Sequence, residues 1–200
     1  MPVITDLPCE IVGAILQNLD HLRFLPPALL ACRHFYASFK ETHGVEASIL
    51  RHQIPPALLP FAVAVAEASR LPRPLVASSV ISLLDEPYGQ PAHLAARLST
   101  LPASLVRKMG RTHDVIHAFT TDYANCAWQG ISPGTGAIDL SPSEYFRFCH
   151  AFYRIELIYT LQHHAPPAET HPWLFSKHAP WENEQLGCAY EYLETTFAKG

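Results

Sequence analysis

The sequence predicts an all-α fold in which an N-terminal helical hairpin precedes an irregular multi-helix bundle. Apolar residues recur at spacings of three and four in most segments, as they do on one face of a helix. The 18 prolines divide the chain into pieces of helical length, because proline blocks a helix interior. No segment alternates apolar and polar residues strongly enough to require a β-sheet.

Composition limits the function classes. An apolar content of 48% with 16% charged residues is typical of a folded globular chain. The net charge of −4 argues against a general phosphate-binding surface, so we expect no nucleic-acid partner. The most apolar segment, residues 56–68, is interrupted by Pro60 and Glu67 and is too short to span a bilayer. We therefore expect no membrane association.

The number and spacing of the cysteines indicate whether the chain belongs to a reducing or an oxidising cellular compartment. The cysteines are few and widely scattered: Cys9, Cys32, Cys126, Cys149 and Cys188. Since they form no CxxC pair and are odd in number, neither a disulfide framework nor a structural zinc site is indicated. A reducing environment, cytoplasmic or nuclear or both, fits this pattern.

The hairpin consists of two predicted helices. Asp6 and Pro8 predict a helix start near residue 7. Proline is favoured in the first turn, and an acidic side chain accepts hydrogen bonds from the backbone amides that have no partner within the helix. One face of the first helix carries Ile11, Ile15, Leu16 and Leu19. After Pro26 and Pro27 redirect the chain, a second apolar face carries Leu29, Leu30, Cys32 and Phe35.

The middle of the chain is predicted as short helices. They span about 57–69, 75–84 and 93–98, and residues 85–89, Asp-Glu-Pro-Tyr-Gly, have the composition of a turn. From about 105 to 128 we expect one or two helices, with Gly110 as the weak point. A loop follows at 130–136.

The C-terminal part contains the clearest local signal. Ser141, Pro142 and Glu144 form a capping box, which predicts a helix over 142–163. Aromatic and aliphatic residues surround that helix, so it should be buried on more than one side and form the centre of the core. A last helix is expected to start near Pro180, with Cys188, Ala189, Tyr192, Leu193 and Phe197 as its packing face.

Two short motifs frame the hairpin: Leu7-Pro8-x-Glu10-Ile11 at its start and Cys32-Arg33-x-Phe35 near its end. In order and approximate spacing, residues 5–39 resemble the F-box. This resemblance implies that a Skp-family adaptor binds residues 1–50 and that the adaptor connects them to a cullin in an SCF-type ubiquitin ligase. The candidate adaptor contacts are Leu7, Pro8, Ile11, Ile15, Leu16, Leu19, Leu29, Leu30, Cys32 and Phe35.

The later segments carry a second resemblance. Residues 141–157 and 175–186 are similar to the all-helical region that follows the F-box in many filamentous-fungal F-box-like proteins. That similarity assigns residues 51–200 to a helical domain of unknown function, implies no catalytic residue or cofactor, and leaves the protein substrate unidentified. Members of that group commonly extend further, which implies that the chain is either a fragment truncated at its C-terminus or a short variant.

Other functions were weighed against this one. A metal site would need His163, His164, His171 and His178 to meet Glu169 or Glu182, but their spacing matches no metal motif. The adjacent Cys149 and His150 favour a buried thiol over a nucleophile and base. We expect Arg147, Arg154 and Glu156 to pair with neighbouring helices.

The main alternative is a non-catalytic helical scaffold. In that case the F-box-like hairpin would be buried in the chain's own core and would bind no adaptor. Exposure distinguishes the two functions, because an accessible face formed by Leu7, Ile11 and Ile15 favours docking.

Overall fold

The computed structural model describes residues 4–134, 136–162 and 175–197, and within these ranges it contains helices and no strand. The all-α prediction is therefore confirmed. The α-helices are α1 (Cys9–Gln17), α2 (Leu25–Ala31), α3 (Arg33–Glu41), α4 (Val45–Gln53), α5 (Leu59–Ala68), α6 (Ala77–Gly89), α7 (Pro91–Ala96), α8 (Ala103–Ile131), α9 (Pro142–Gln162) and α10 (Pro180–Phe197). Short 3-10 turns occupy Ile4–Asp6, Leu22–Phe24 and Arg97–Thr100.

The first four helices form an N-terminal module with a small core of its own. That core consists of Val12, Leu16, Leu25, Val45 and Ile49. Helix α1 packs on α3 and on α4, and Gly44, with a φ of 74°, makes the turn between α3 and α4. Because a left-handed φ is strained for residues with a side chain, glycine suits this turn.

Close packing of α1 depends on Gly13. A Cβ at this position would lie 2.1 Å from Oγ1 and 3.0 Å from Cβ of Thr42, which follows α3. We expect Gly13→Ala to lower the free energy of unfolding by about 1–2 kcal/mol, since overpacking outweighs the gain in helix propensity. Urea denaturation followed by circular dichroism measures this change.

A matched control for that substitution is Gly187→Ala in α10. Nothing lies within 4 Å of a Cβ at Gly187, so alanine should raise stability by up to about 1 kcal/mol. Equal stabilisation by both substitutions would contradict the proposed role of Gly13.

The second core is larger and is built around α5 and α9. Every residue from 59 to 66 in α5 is buried, as is every residue from 149 to 154 in α9. The two helices pack against each other, while α6, α7 and α8 contact α5, and α8 and α10 contact α9. The prediction that residues 142–163 form a central helix buried on several sides is confirmed.

Helix α4 joins the two cores. Val45 and Ile49 belong to the core of the module, whereas Ala47 and Leu50 belong to the larger core. The boundary expected at residue 50 therefore falls inside a helix. Helix α4 also packs against α8.

A polar junction strengthens the contact between α4 and α8. The Gln53 side-chain amide donates to the Gly110 carbonyl at 3.1 Å and to Asp114 Oδ1 at 2.8 Å, while its oxygen accepts from the Leu22 amide at 3.3 Å. His21 Nε2 lies 2.8 Å from the same Asp114 oxygen. A Cβ on Gly110 would lie 2.7 Å from Leu22 Cδ1, so the glycine permits this close approach inside one continuous helix.

Several local predictions differ from the structure. The second helix expected for the hairpin is divided into α2 and α3 at Cys32, whose backbone is extended. The turn expected at residues 85–89 is wrong, because α6 continues to Gly89 with Pro87 inside it. Pro87 lies in the last turn and is buried, and Glu86 just before it pairs with Arg97, so tertiary contacts override the turn composition. Helix α1 begins at Cys9, and Pro8 is its N-cap.

The capping box at the start of α9 is confirmed. The Ser141 amide donates to Glu144 Oε2 at 2.9 Å, and the Glu144 amide donates to Ser141 Oγ at 3.3 Å. These hydrogen bonds lower the pKa of the Glu144 carboxyl below its usual value. The reciprocal pair satisfies two backbone donors that a helix start otherwise leaves free.

The predicted packing face of the last helix is confirmed for Ala189, Tyr192 and Leu193, which belong to the larger core or pack against it. Leu186 and Ala189 are its buried residues, whereas Cys188 and Phe197 are exposed. None of the described helices is long and apolar enough to cross a membrane.

Candidate docking surface

Helix α1 is apolar on two faces. Val12 and Leu16 point into the core of the module, and Leu16 is only 1% exposed. On another side of the helix, Ile11 is 49% and Ile15 is 42% exposed, and Pro8 is exposed as well. Steps of three and four residues align these side chains on one face, which we name the α1 stripe (Pro8, Ile11 and Ile15).

The α1 stripe begins beside the junction of α2 and α3. His34 Nε2 donates to the Leu7 carbonyl at 2.8 Å, which holds the start of α3 against the start of α1. Just before this junction, Leu30 on α2 is 86% exposed. The F-box-like segments thus expose apolar side chains on neighbouring helices.

The remaining predicted contacts lie deeper. Leu16 is a core residue, so it supports α1 from inside and is not available for direct contact with a partner; this corrects its assignment as a contact. The others are partly buried, and except for Cys32 they pack against the core of the module: Leu7, Leu19, Leu29, Cys32 and Phe35. Their edges could join an interface, but most of each side chain serves the module's own packing.

Sequence reasoning missed three exposed apolar residues of the module. These are Ile4, Phe24 and Tyr36. Ile4 lies in the 3-10 turn Ile4–Asp6 before α1, so the helical spacing of the α1 stripe does not reach it. For Phe24, whose ring lies 4.9 Å from the Arg23 guanidinium carbon, no pattern in the sequence predicts exposure.

The adjacent Cys149 and His150 face different partners in the larger core. Cys149 Sγ lies 3.3 Å from Thr120 Oγ1, and burial raises the pKa of this thiol. His150 Nε2 lies 3.0 Å from the Tyr88 hydroxyl, and burial lowers the pKa of this imidazole to about 4. Cys149 is fully buried, as expected for a structural thiol.

Arg154 connects α9 to the start of α10. Its buried guanidinium donates to the Glu182 carbonyl at 3.0 Å and to Asn183 Oδ1 at 2.9 Å, and burial lowers the pKa of this group. The expected pairing with a neighbouring helix is confirmed for this residue.

Of the residues considered as metal ligands from the sequence, only His178 and Glu182 belong to the described part of the chain. His163, His164, Glu169 and His171 lie outside the described residues. In the described ranges, no group of three or more histidine, cysteine or carboxylate side chains is arranged to hold a metal ion. His178 Nδ1 lies 3.7 Å from Glu182 Oε2 at the start of α10, which is a helix-end contact.

Comparisons with protein-family models, curated proteins and solved structures find no match for this chain. Functional inference therefore depends on the chemistry of the exposed residues and on the sequence resemblance. Apolar side chains exposed along one helix can bind a protein surface without any covalent step.

Proposed function

We propose that this chain is a substrate-receptor or adaptor subunit of an SCF-type cullin-RING ubiquitin ligase, and that its N-terminal module binds a Skp-family adaptor. The observation that best supports this proposal is the exposure of the α1 stripe, which is not buried in the core of the module. The F-box resemblance covers the same residues. Docking is noncovalent, and it uses the stripe as the centre of the interface.

The module offers apolar side chains that can serve as anchors of such an interface. A stable interface buries at least about 1,000 Å² and depends on a few central side chains. Ile11 and Ile15 supply two apolar anchors one helical turn apart. Leu30 on α2 is a further exposed apolar side chain of the same module.

The scaffold alternative requires a covered hairpin. The larger core approaches the module through α4 and through Leu22, which contacts the region of Gly110 on α8. Ile11 and Ile15 lie outside that contact and keep almost half of their surface accessible. This exposure favours docking over a purely internal role.

Reconstitution tests the proposal. The full chain is co-expressed with a Skp-family adaptor and analysed by size-exclusion chromatography, and the N-terminal region of a cullin is then added. We expect a two-component complex that recruits the cullin only through the adaptor. Separate elution of chain and adaptor at micromolar concentration would reject the proposed function.

Substitutions at the start of the module should have a smaller effect on adaptor affinity. Leu7→Ala combined with Pro8→Ala should weaken adaptor binding by about 10-fold, because it trims apolar area at the end of the stripe. Isothermal titration calorimetry measures the affinity, and circular dichroism checks that the helices persist. Undiminished affinity would remove both residues from the contact surface.

A further inference from the structure

A second exposed apolar surface lies in the larger helical core. Residues of helices α8, α9 and α10 line an open surface groove of about 500 Å³, which we name the α8 groove. Its apolar lining includes Ile116, Phe119, Phe152, Ile155 and Leu193. Pockets of this size accommodate a few side chains of a peptide.

The rim of the groove is also apolar. Val115 on α8 is 51% exposed and lines the groove. Phe197, at the end of α10, is exposed and packs its ring 5.9 Å from the ring of Phe119. Val115 and Phe197 therefore add exposed apolar area beside the buried lining residues Ile116 and Phe152.

Two cations stand on the same side of α8 as Val115. Lys108 and Arg111 are exposed and line the groove, and steps of three and four residues align them with Val115. In the described part of the chain, the lysine and arginine ion pairs are made by other residues, namely Arg97, Arg107 and Lys177. Glu156 is the one carboxylate that lines the groove, so two positive charges face one negative charge.

The groove and the N-terminal module use different residues of α8. Gly110 and Asp114 contact the module through Leu22, Gln53 and His21. At about 100° per residue, Gly110 lies about 140–160° around α8 from Lys108 and Val115, and Asp114 lies about 100–120° from them. The groove is lined by residues of α8, α9 and α10 and not by the α1 stripe, so a ligand there leaves the stripe free for an adaptor.

We propose that the α8 groove binds a short segment of a partner protein that combines aromatic or aliphatic side chains with at least one acidic side chain. The apolar residues enter the groove, and the carboxylate pairs with Lys108 and Arg111. That this partner is a ubiquitylation target rests on the proposed adaptor function. Binding of the peptide segment to the groove does not depend on it.

A phage-displayed library of random 12-residue peptides provides the probe. The full chain is panned against the library, and enriched peptides are synthesised and measured by fluorescence polarisation. We expect enriched sequences to contain aromatic or aliphatic residues together with Asp or Glu. Their affinity should fall at least 10-fold with Val115→Arg and with the double variant Lys108→Glu, Arg111→Glu.

Matched controls separate this groove from other surfaces. The double variant Arg33→Glu, Lys40→Glu changes charge equally on α3 and should leave peptide affinity unchanged. Replacement of Ile11 and Ile15 by arginine should also leave peptide affinity unchanged, while the Lys108 and Arg111 variant should still bind the adaptor. If peptide binding follows these expectations but the adaptor does not bind, the groove remains a peptide site and its role toward a ligase target is rejected.

Several outcomes overturn the proposal. Absence of enrichment, enriched peptides without acidic residues, or affinities insensitive to both groove variants would each do so. Analytical ultracentrifugation tests a second copy of the chain as the occupant. A wild-type dimer that Val115→Arg converts to a monomer would replace the peptide proposal with self-association.

Discussion

Replacing Ile11 and Ile15 together by arginine is expected to reduce affinity for a Skp-family adaptor at least about 100-fold, which corresponds to about 3 kcal/mol. Both side chains are half exposed in the free chain, so their apolar area is available for burial by a partner. Arginine removes the favourable free energy of burying this apolar area, and its guanidinium groups must be desolvated in the interface. The substitutions do not touch the module core, because Val12 and Leu16 lie on another side of α1.

Isothermal titration calorimetry with purified adaptor measures this loss. The matched control is Ile131→Arg, which changes an exposed isoleucine at the end of α8. It should leave affinity unchanged, and all variants should keep the thermal midpoint of the wild type within a few degrees. An affinity loss of less than threefold for the double variant would exclude the α1 stripe as the centre of the interface.

Acidification from about pH 7 to about pH 5 is expected to lower the free energy of unfolding by about 3–4 kcal/mol. Two buried histidines cause most of this loss, and burial also lowers the pKa of His178, which adds to it. Burial lowers the pKa of His113 and of His150 from 6.5 to about 4, because each imidazole is held neutral between apolar neighbours. His113 Nδ1 lies 2.9 Å from the Tyr153 hydroxyl, and His150 stacks on Phe146.

The direction follows from proton binding. In the unfolded chain both histidines titrate near their ordinary value of 6.5, so acid protonates the unfolded state first. Their contribution is complete above about pH 6.5 and is lost as the pH falls toward 4, at about 2 kcal/mol each by pH 5. Burial raises the pKa of Glu46 and Glu67, which offsets part of the loss in the most acidic range.

Charges around the two imidazoles modify this effect without reversing it. Asp114 raises the pKa of His113, whereas His117 and His21 lower it. Arg154 and His178 lower the pKa of His150, and Glu182 raises it. Desolvation is the largest cause at both positions, so the neutral form dominates in the folded chain.

Urea denaturation at several pH values measures the loss. His150→Phe keeps the aromatic packing against Phe61 and Phe146. It removes one of the two strongly shifted imidazoles, so the unfolding free energy should change with pH by about half as much as in the wild type. His52→Phe, at an exposed position of α4, should leave this pH dependence unchanged. An identical pH profile for His150→Phe and wild type would contradict the assignment.

The helices could largely be predicted from local patterns. The capping box at Ser141 and Glu144 depends only on neighbouring residues, so it identified the start of α9 correctly. Gly110 is expected to weaken a helix, yet α8 runs through it because the missing side chain allows Leu22 and Gln53 to approach. That compensation comes from residues distant in sequence, and no local pattern reveals it.

The docking surface could be predicted only in part. Periodicity grouped Ile11, Ile15 and Leu16 on one face, but the structure divides them between solvent and core. Val12, which is completely buried, was absent from the predicted face. A helix that is apolar on two sides does not reveal which side faces inward, because that depends on where α3 and α4 pack.

Helix α4 has a geometric consequence for any bound pair of proteins. Since its residues are buried in two cores, the module and the helical bundle cannot rotate against each other without opening one of them. Flexible linkers allow attached proteins to sample a wide range of separations. Here a protein held by the module and a segment held by the bundle would instead be kept at one fixed separation and orientation.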